Sequence, residues 1–424
     1  MDGGIEPASP PSQPFRSHAL GRVAVRVNSG TLPTPVRINA RLQGSNPVIA
    51  TVSSNLSVAI GLPSQLNFSL SQGTKNIEGY NIDGTPNTYQ IIAADRSGNP
   101  VPAGTSINFV TEGGQVEAIK QTQIVSGIAR TTANFVSSEP RPVDGRVTIT
   151  SYALGEESFL DTNGNNVRDA GEPFQDLGNI FKDRNFDGIY SATVDEFVPL
   201  AVNNSLDCAV PGNNLLLLDA SIPSMPATCD GAWSGAGQVY VRRATETVLS
   251  TSAARPLWAS TRGLDASCRK ITLQVGPNPN QTAPFTLVAG DTWYGGKDGT
   301  LSFIAADANP GRLNPGIDPT APAFDRNNVA NWEQLPRYNP MAAGTVISAS
   351  TPTAGLTVTL GGGSPVPSTT EASHASVAYS FTDDEVFGGV IFVTFRSPSG
   401  TGTTVSVPVV RLKVGEAQPS VCPN

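Results

Sequence analysis

The chain has 424 residues with 42 Gly and 35 Pro, a formal net charge of −8 and only 15% charged residues. So sparse and acidic a charge set argues against a nucleic-acid partner, and no apolar run reaches the roughly eighteen residues of a membrane-spanning helix. The length predicts two to four domains, and Gly and Pro spread without a fixed period imply an all-β chain of short strands joined by turns.

Residues 1–17 are rich in Pro and Ser and read as a disordered tail or linker, without the basic start or apolar core of a signal peptide. Period-two hydrophobicity then predicts strands over 22–27, 36–42 and 55–60. These are too few to close a sandwich, so 18–60 is expected to be a partial domain made of trailing strands. A complete sandwich is expected over 61–255. Its strand signals are QLNFSL (65–70), TYQIIAAD (88–95), SINFVT (106–111), IARTTANFV (128–136) and GRVTITSYA (145–153). After an insertion at 154–237, QVYVRRATETVLS (238–250) reads as the returning strand.

The insertion carries DTNGNNVRDAGEPFQDLGNIFKDRNFDGIY at 161–190. Oxygen-bearing side chains on alternate residues of a tight turn point at one centre, which is the principle of the twelve-residue calcium loop. Asp161, Asn163 and Asn165 fall at positions 1, 3 and 5, Val167 at the main-chain carbonyl position 7, Asp169 at 9 and Glu172 at 12. Asn166 stands at position 6, where Gly is usual; Asn is among the non-Gly residues that best tolerate positive φ. Asp183, Asn185, Asp187, Gly188 and Ile189 repeat positions 1, 3, 5, 6 and 7. Position 12 of this second loop is Val194, so closure needs Asp195, Glu196 or Asp176. Ca2+ is therefore the expected cofactor, in a structural role, with affinity on the order of 10⁻⁵ to 10⁻³ M. The competing reading is a run of Asn/Asp/Gly turns that need no metal.

Four cysteines, Cys208, Cys229, Cys268 and Cys422, match no CxxC spacing. An even count in an exported-looking chain favours two disulfides over buried thiols. Cys208–Cys229 would close part of the insertion, which also holds the apolar run Leu215–Leu218; Cys268–Cys422 follows only by elimination.

A second sandwich is expected over 256–424, starting with CRKITLQV (268–275) and carrying a Pro/Asn-rich insertion at 308–338. The turn IAADRSGNPVPAGTSI (92–107) recurs in it as IAAD (304–307) and NPMAAGTVI (339–347). Three residues separate Asp95 from Asn99, whereas 31 separate Asp307 from Asn339. GLTVTL (355–360), SVAYSF (376–381), GVIFVTF (389–395) and TTVSVPVVRLKV (403–414) complete the copy. In the last, the apolar phase flips between Val409 and Val410 beside Pro408, which predicts a bulge or sheet switch on an edge strand.

The D-x-x-GNPVPAGT-x-I-x-F turn, followed by GIARTTANF and GRVTIT, resembles bacterial immunoglobulin-like repeats of the invasin/intimin type, closely over 62–153 and more loosely over 271–414. The resemblance implies tandem immunoglobulin-like β-sandwiches at a bacterial cell surface or in its extracellular matrix, acting as adhesin or stalk. Implied partners are neighbouring copies or repeats of the same protein, or a host or surface ligand. A second class is a subunit of a filament, sheath or surface layer built by strand addition. A third is a carbohydrate-binding module using Trp293 and Tyr294 of a Gly-rich loop as glycan contacts, against the alternative of aromatics folded back onto the sandwich. Only two histidines, His18 and His374, and no nucleophile or phosphate-loop motif occur, so no catalytic residues are expected.

Overall fold

The computed structural model describes residues 34–53, 56–58, 61–165, 167–198, 208, 224–235, 239–259, 263–264, 270–271, 284–285, 293–309, 311 and 338–411. The expectations for 1–17, 22–27, Asn166, Leu215–Leu218, Cys268, Cys422 and most of 308–338 lie outside these residues. The described chain is all-β, with one 3-10 turn at Gln65–Asn67. No helix among the described residues is long and apolar enough to cross a membrane.

Short strands β1 (Thr34–Val36), β2 (Asn39–Arg41), β3 (Ala50–Val52) and β4 (Leu56–Val58) form two ribbons, β1 with β4 and β2 with β3. Their described side chains are exposed or half-buried.

The first sandwich packs two sheets face to face. One is ordered β10-β8-β13-β16-β6 and the other β11-β12-β7-β5, with β9 added to β12. The strands are β5 (Phe68–Gln72), β6 (Asn76–Ile77), β7 (Pro86–Ala93), β8 (Ser106–Thr111), β9 (Gln115–Val116), β10 (Ile119–Gln121), β11 (Gln123–Val125), β12 (Ile128–Val136), β13 (Arg146–Gly155) and β16 (Val239–Leu249). β12 alternates exposed and buried along its whole length, and its inward Ala129, Ala133 and Phe135 meet Tyr89, Ile91, Ile107, Val147 and Ile149. Tyr89 and Phe135 pack edge to face with centroids 6.0 Å apart. β16 runs antiparallel to β13 over ten paired positions, so the chain does return after the insertion to finish this sandwich.

Within the insertion, β14 (Phe181–Lys182) and β15 (Glu196–Phe197) form a small ribbon. The second sandwich follows with β17 (Leu257–Ala259), β18 (Gly263–Leu264), β19 (Lys270–Ile271), β20 (Pro284–Phe285), β21 (Trp293–Gly295), β22 (Asp298–Ala305), β23 (Val346–Ser350), β24 (Leu356–Leu360), β25 (Ser373–Phe381), β26 (Gly388–Arg396) and β27 (Gly402–Arg411). Its sheets are ordered β20-β17-β22-β25-β24 and β19-β18-β21-β27-β26-β23 around Leu301, Phe303, Tyr379, Phe381, Ile391 and Phe395.

The repeated turn has one geometry in both sandwiches despite the long second insertion. Asp95 N–H donates to Asn99 O at 2.8 Å, and Asp307 N–H to Asn339 O at 2.9 Å. Thr105 Oγ1 donates to Pro102 O at 2.8 Å, and Thr345 Oγ1 to Ala342 O at 2.7 Å. The bulge expected beside Pro408 does not form. β27 pairs without interruption from Gly388↔Val410 to Arg396↔Gly402, with Val407 and Val409 both buried and Pro408 on the other face. Pro is tolerated because β21 joins the far side of β27 only from Val409 onward.

Candidate metal centre

Loop 1 is closed at its base by a short antiparallel contact: Leu160 N–H donates to Pro173 O at 2.8 Å and Gln175 N–H to Ser158 O at 2.9 Å. Between these ends, Asp161 Oδ1 accepts the N–H groups of Gly164 and Asn165 at 2.6 and 3.2 Å. Asn163 Oδ1 accepts Asn165 N–H and Asn165 Oδ1 accepts Val167 N–H, so each alternate side chain folds over the turn. Glu172 is only 4% exposed and caps the loop with both oxygens. Its Oε1 accepts Thr162 N–H at 2.7 Å and its Oε2 accepts Asp169 N–H at 2.9 Å. The Asp169 N–H, opposed by burial and joined by Thr162, holds this carboxyl below the usual range.

Loop 2 repeats that plan with different residues. Asp183 accepts the N–H groups of Asp187 and Gly188 at 3.1 and 2.8 Å. Closure falls to Asp195, one residue past position 12: Oδ1 accepts Arg184 N–H at 2.9 Å and Oδ2 accepts Ser191 N–H at 2.6 Å. Arg184 and Ser191 hold positions 2 and 9, as do Thr162 and Asp169 in loop 1. The extra residue is absorbed by a turn in which both Val194 and Asp195 N–H donate to Ser191 O. Position 4 is left-handed in each loop, Gly164 at φ 75° and Phe186 at φ 53°. A bulky residue in that region is strained, so the fold of the loop overrides the local preference of Phe186. Burial pushes the Asp183 carboxyl up, the N–H groups of Gly188 and Asp187 oppose this, and the charges of Asp187 and Asp195 add to it.

The other two candidates for closure are used elsewhere. Glu196 starts β15 beside Lys182 and pairs with Lys182 and Arg184, both at 2.7 Å. Asp176 faces the Cys-bounded segment, accepting Gly231 N–H at 2.7 Å, and burial pushes it up to about 6. Ile189 and Val167 are exposed at position 7 of their loops. Among the described residues no three Asp, Glu, His or Cys side chains close tightly enough on one point to hold an ion. Instead the amides of Asn163 and Asn165 donate to Asp169 Oδ2 at 2.6 and 2.7 Å, and that of Asn185 to Asp187 Oδ2 at 2.6 Å.

The insertion is fastened to the sandwich by groups that carry no motif. Glu157 accepts Leu177 N–H at 2.7 Å and Ser234 N–H at 2.6 Å, and burial pushes its carboxyl up to about 9. Arg242 of β16, 3% exposed, donates to Gly178 O and Ser224 Oγ. Thr148 of β13 donates to Asp183 O at 2.8 Å, tying the first residue of loop 2 to the sheet. The one signal in sequence is for Glu157, in a Glu-Glu pair separated from the first loop by three residues.

Cys208 and Cys229 are disulfide-bonded, with 21 residues of separation. Cross-linking a loop of this length contributes about 3 kcal/mol. Reduction is therefore expected to accelerate hydrogen exchange around Cys208 and Gly178 while leaving β7 and β12 protected. Trp293 is not a presented sugar platform: it is 6% exposed, in the core of the second sandwich, and its indole N–H donates to Tyr379 Oη at 3.2 Å. Tyr294 belongs to the same strand β21.

No family model and no curated protein matches the chain. Among solved structures it is similar to a C-terminal 282-residue fragment of intimin, crystallised with the intimin-binding domain of the translocated intimin receptor. Identity is 8% and the TM-score 0.23, over 81% of this chain and 63% of that one. The chain spans less than two thirds of that solved chain, and at this score the likeness carries no argument about it.

Proposed function

We propose that the chain is a non-enzymatic module of an exported surface or matrix protein, acting as adhesin or stalk, whose insertion is ordered by Ca2+ in two loops. The observation that carries the reading is that two loops of different sequence reach one hydrogen-bonding plan, each with a buried closing carboxylate bound by the N–H groups of positions 2 and 9. The donor set is all oxygen and holds three carboxylates per loop: Asp161, Asp169 and Glu172, then Asp183, Asp187 and Asp195. Hard divalent cations prefer such sets. The amide N–H2 groups turned toward Asp169 and Asp187 mark where positive charge is wanted, and rotating each amide presents its oxygen instead. The bound ion would offset the mutual repulsion of these carboxylates, while Phe174, Ile180 and Phe181 supply buried apolar contacts in the same segment.

The stalk role rests on the junction between the sandwiches, which is buried and polar. Asn76 binds Met341 O, Pro367 O and Thr369 N–H, and Ser250 Oγ donates to Pro340 O. Such a junction sets one module against the next as a spacer requires.

The test is calorimetry of the chain in calcium and in EDTA. Calcium is expected to raise the melting temperature and to suppress protease cleavage between Gly155 and Asp195. Identical melting and cleavage in both buffers would overturn the structural role of the ion.

A further inference from the structure

The turn aspartate is used differently in the two sandwiches. Asp95 caps its own turn: Oδ1 accepts Ser97 and Asn99 N–H, each at 2.9 Å, and Asn99 Nδ2 donates to Oδ2. Asp307 keeps one of these bonds, from Asn309 N–H to Oδ1 at 2.8 Å. Its Oδ2 is redirected to the linker between the sandwiches, accepting Thr251 N–H at 2.9 Å and approaching Thr251 Oγ1 at 3.0 Å. The next linker residue, Ser252, is held by Glu78 of the first sandwich. Glu78 also reaches across the junction to accept Ser399 N–H and Oγ at 2.7 and 2.6 Å. Two carboxyls from opposite domains, 6% and 1% exposed, thus pin adjacent residues of one linker.

We propose that Asp307 is a proton-operated latch on this linker, closed when its carboxyl is protonated. The acceptor for that proton is in place. A protonated Oδ2 donates to Thr251 Oγ1, and the threonine hydroxyl passes its own hydrogen to Ala253 O at 3.1 Å. Among the described residues, the charged groups at the junction give Asp307 no counter-charge. Arg146 is engaged by Glu246, Asn339 and Thr370, and Asp144 accepts Arg146 N–H. Arg255 contributes its main-chain N–H to Ala306 O. Burial pushes the Asp307 carboxyl up to about 7 against the bonds from Asn309 and Thr251, and the like charge of Glu78 adds a smaller push in the same direction. A carboxyl harder to ionise in the closed junction than in the open one contributes its full stabilisation below the ordinary aspartate range. That contribution is lost as pH rises through the closed-state value, by up to about tenfold in the closed-to-open ratio per pH unit.

The test uses the full chain with spin labels on exposed positions of the two sandwiches, and distance distributions recorded from pH 4.5 to 8. The closed distance is expected to give way to a broader one as pH rises toward 7. Asp307→Asn, which carries no titrating group, is expected to give a distance distribution that does not change with pH. Glu78→Gln is expected to move the midpoint to lower pH, because the like charge is gone. An unchanged pH profile in Asp307→Asn, or an unmoved midpoint in Glu78→Gln, overturns the latch. Calorimetry of each variant at pH 5 confirms folding, so a lost response is not mistaken for an unfolded chain.

Discussion

Replacing Arg146 with Met is expected to cost about 3–5 kcal/mol, because it leaves a charge buried without its partner. Arg146 and Glu246 are 2% and 5% exposed and form an ion pair on adjoining strands of the first sandwich. The same guanidinium crosses the junction, donating to Asn339 Oδ1 and to Thr370 O, each at 2.8 Å. Asn339 in turn donates to Asp144 O at 2.6 Å, closing the contact from the other side. The single change therefore removes an intradomain counter-ion and an interdomain strut together. The double change Arg146→Met with Glu246→Leu separates the two effects. Removing both charges is expected to restore most of the stability of the first sandwich, since buried pairs replaced by apolar groups are often neutral. It cannot restore the bonds to Asn339 and Thr370. Calorimetry of the double variant is then expected to show two separated transitions where the native chain melts its sandwiches together. A single shared transition in the double variant would mean that the junction does not couple the domains through Arg146.

What was legible in the sequence, and what was not, follows from what covers each sheet. Period-two alternation reports which face of a strand turns inward, and for β8 and β12 it gave the observed ends, because their outer faces meet solvent. On β13 the outward residues Arg146, Thr148 and Thr150 are polar, yet they are 2%, 1% and 4% exposed. The insertion and the second sandwich lie over that face, and no local pattern announces a cover that comes from Asp183 or from Thr370. The same reason hides Asp307, whose sequence context matches that of Asp95. The metal-loop spacing was readable as far as position 7 of each loop, where alternation alone decides. In loop 1 the spacing also gave the capping Glu172 at position 12, but in loop 2 it left Asp195, Glu196 and Asp176 open, since the choice depends on how many residues the turn before β15 takes up.

That closure yields the sharpest difference between neighbouring residues. Asp195→Asn is expected to abolish one of the two proposed calcium sites, whereas Glu196→Gln is expected to leave both. Asp195 is 9% exposed and binds the N–H groups of Arg184 and Ser191, so its charge points into the loop. Glu196 is spent on Lys182 and Arg184 at the surface, where a pair contributes about 0–1 kcal/mol. With calcium at about 100 times its dissociation constant, each occupied loop adds about 2.7 kcal/mol to the state that binds it. Asp195→Asn should forfeit that increment for loop 2, and titration calorimetry is expected to count two ions in the native chain and one in this variant. Glu172→Gln is the matching change in loop 1, and combining it with Asp195→Asn should leave melting insensitive to EDTA. If Glu196→Gln, and not Asp195→Asn, lowered the count, the second loop would close on the surface carboxylate and the shared hydrogen-bonding plan would not be a plan for metal.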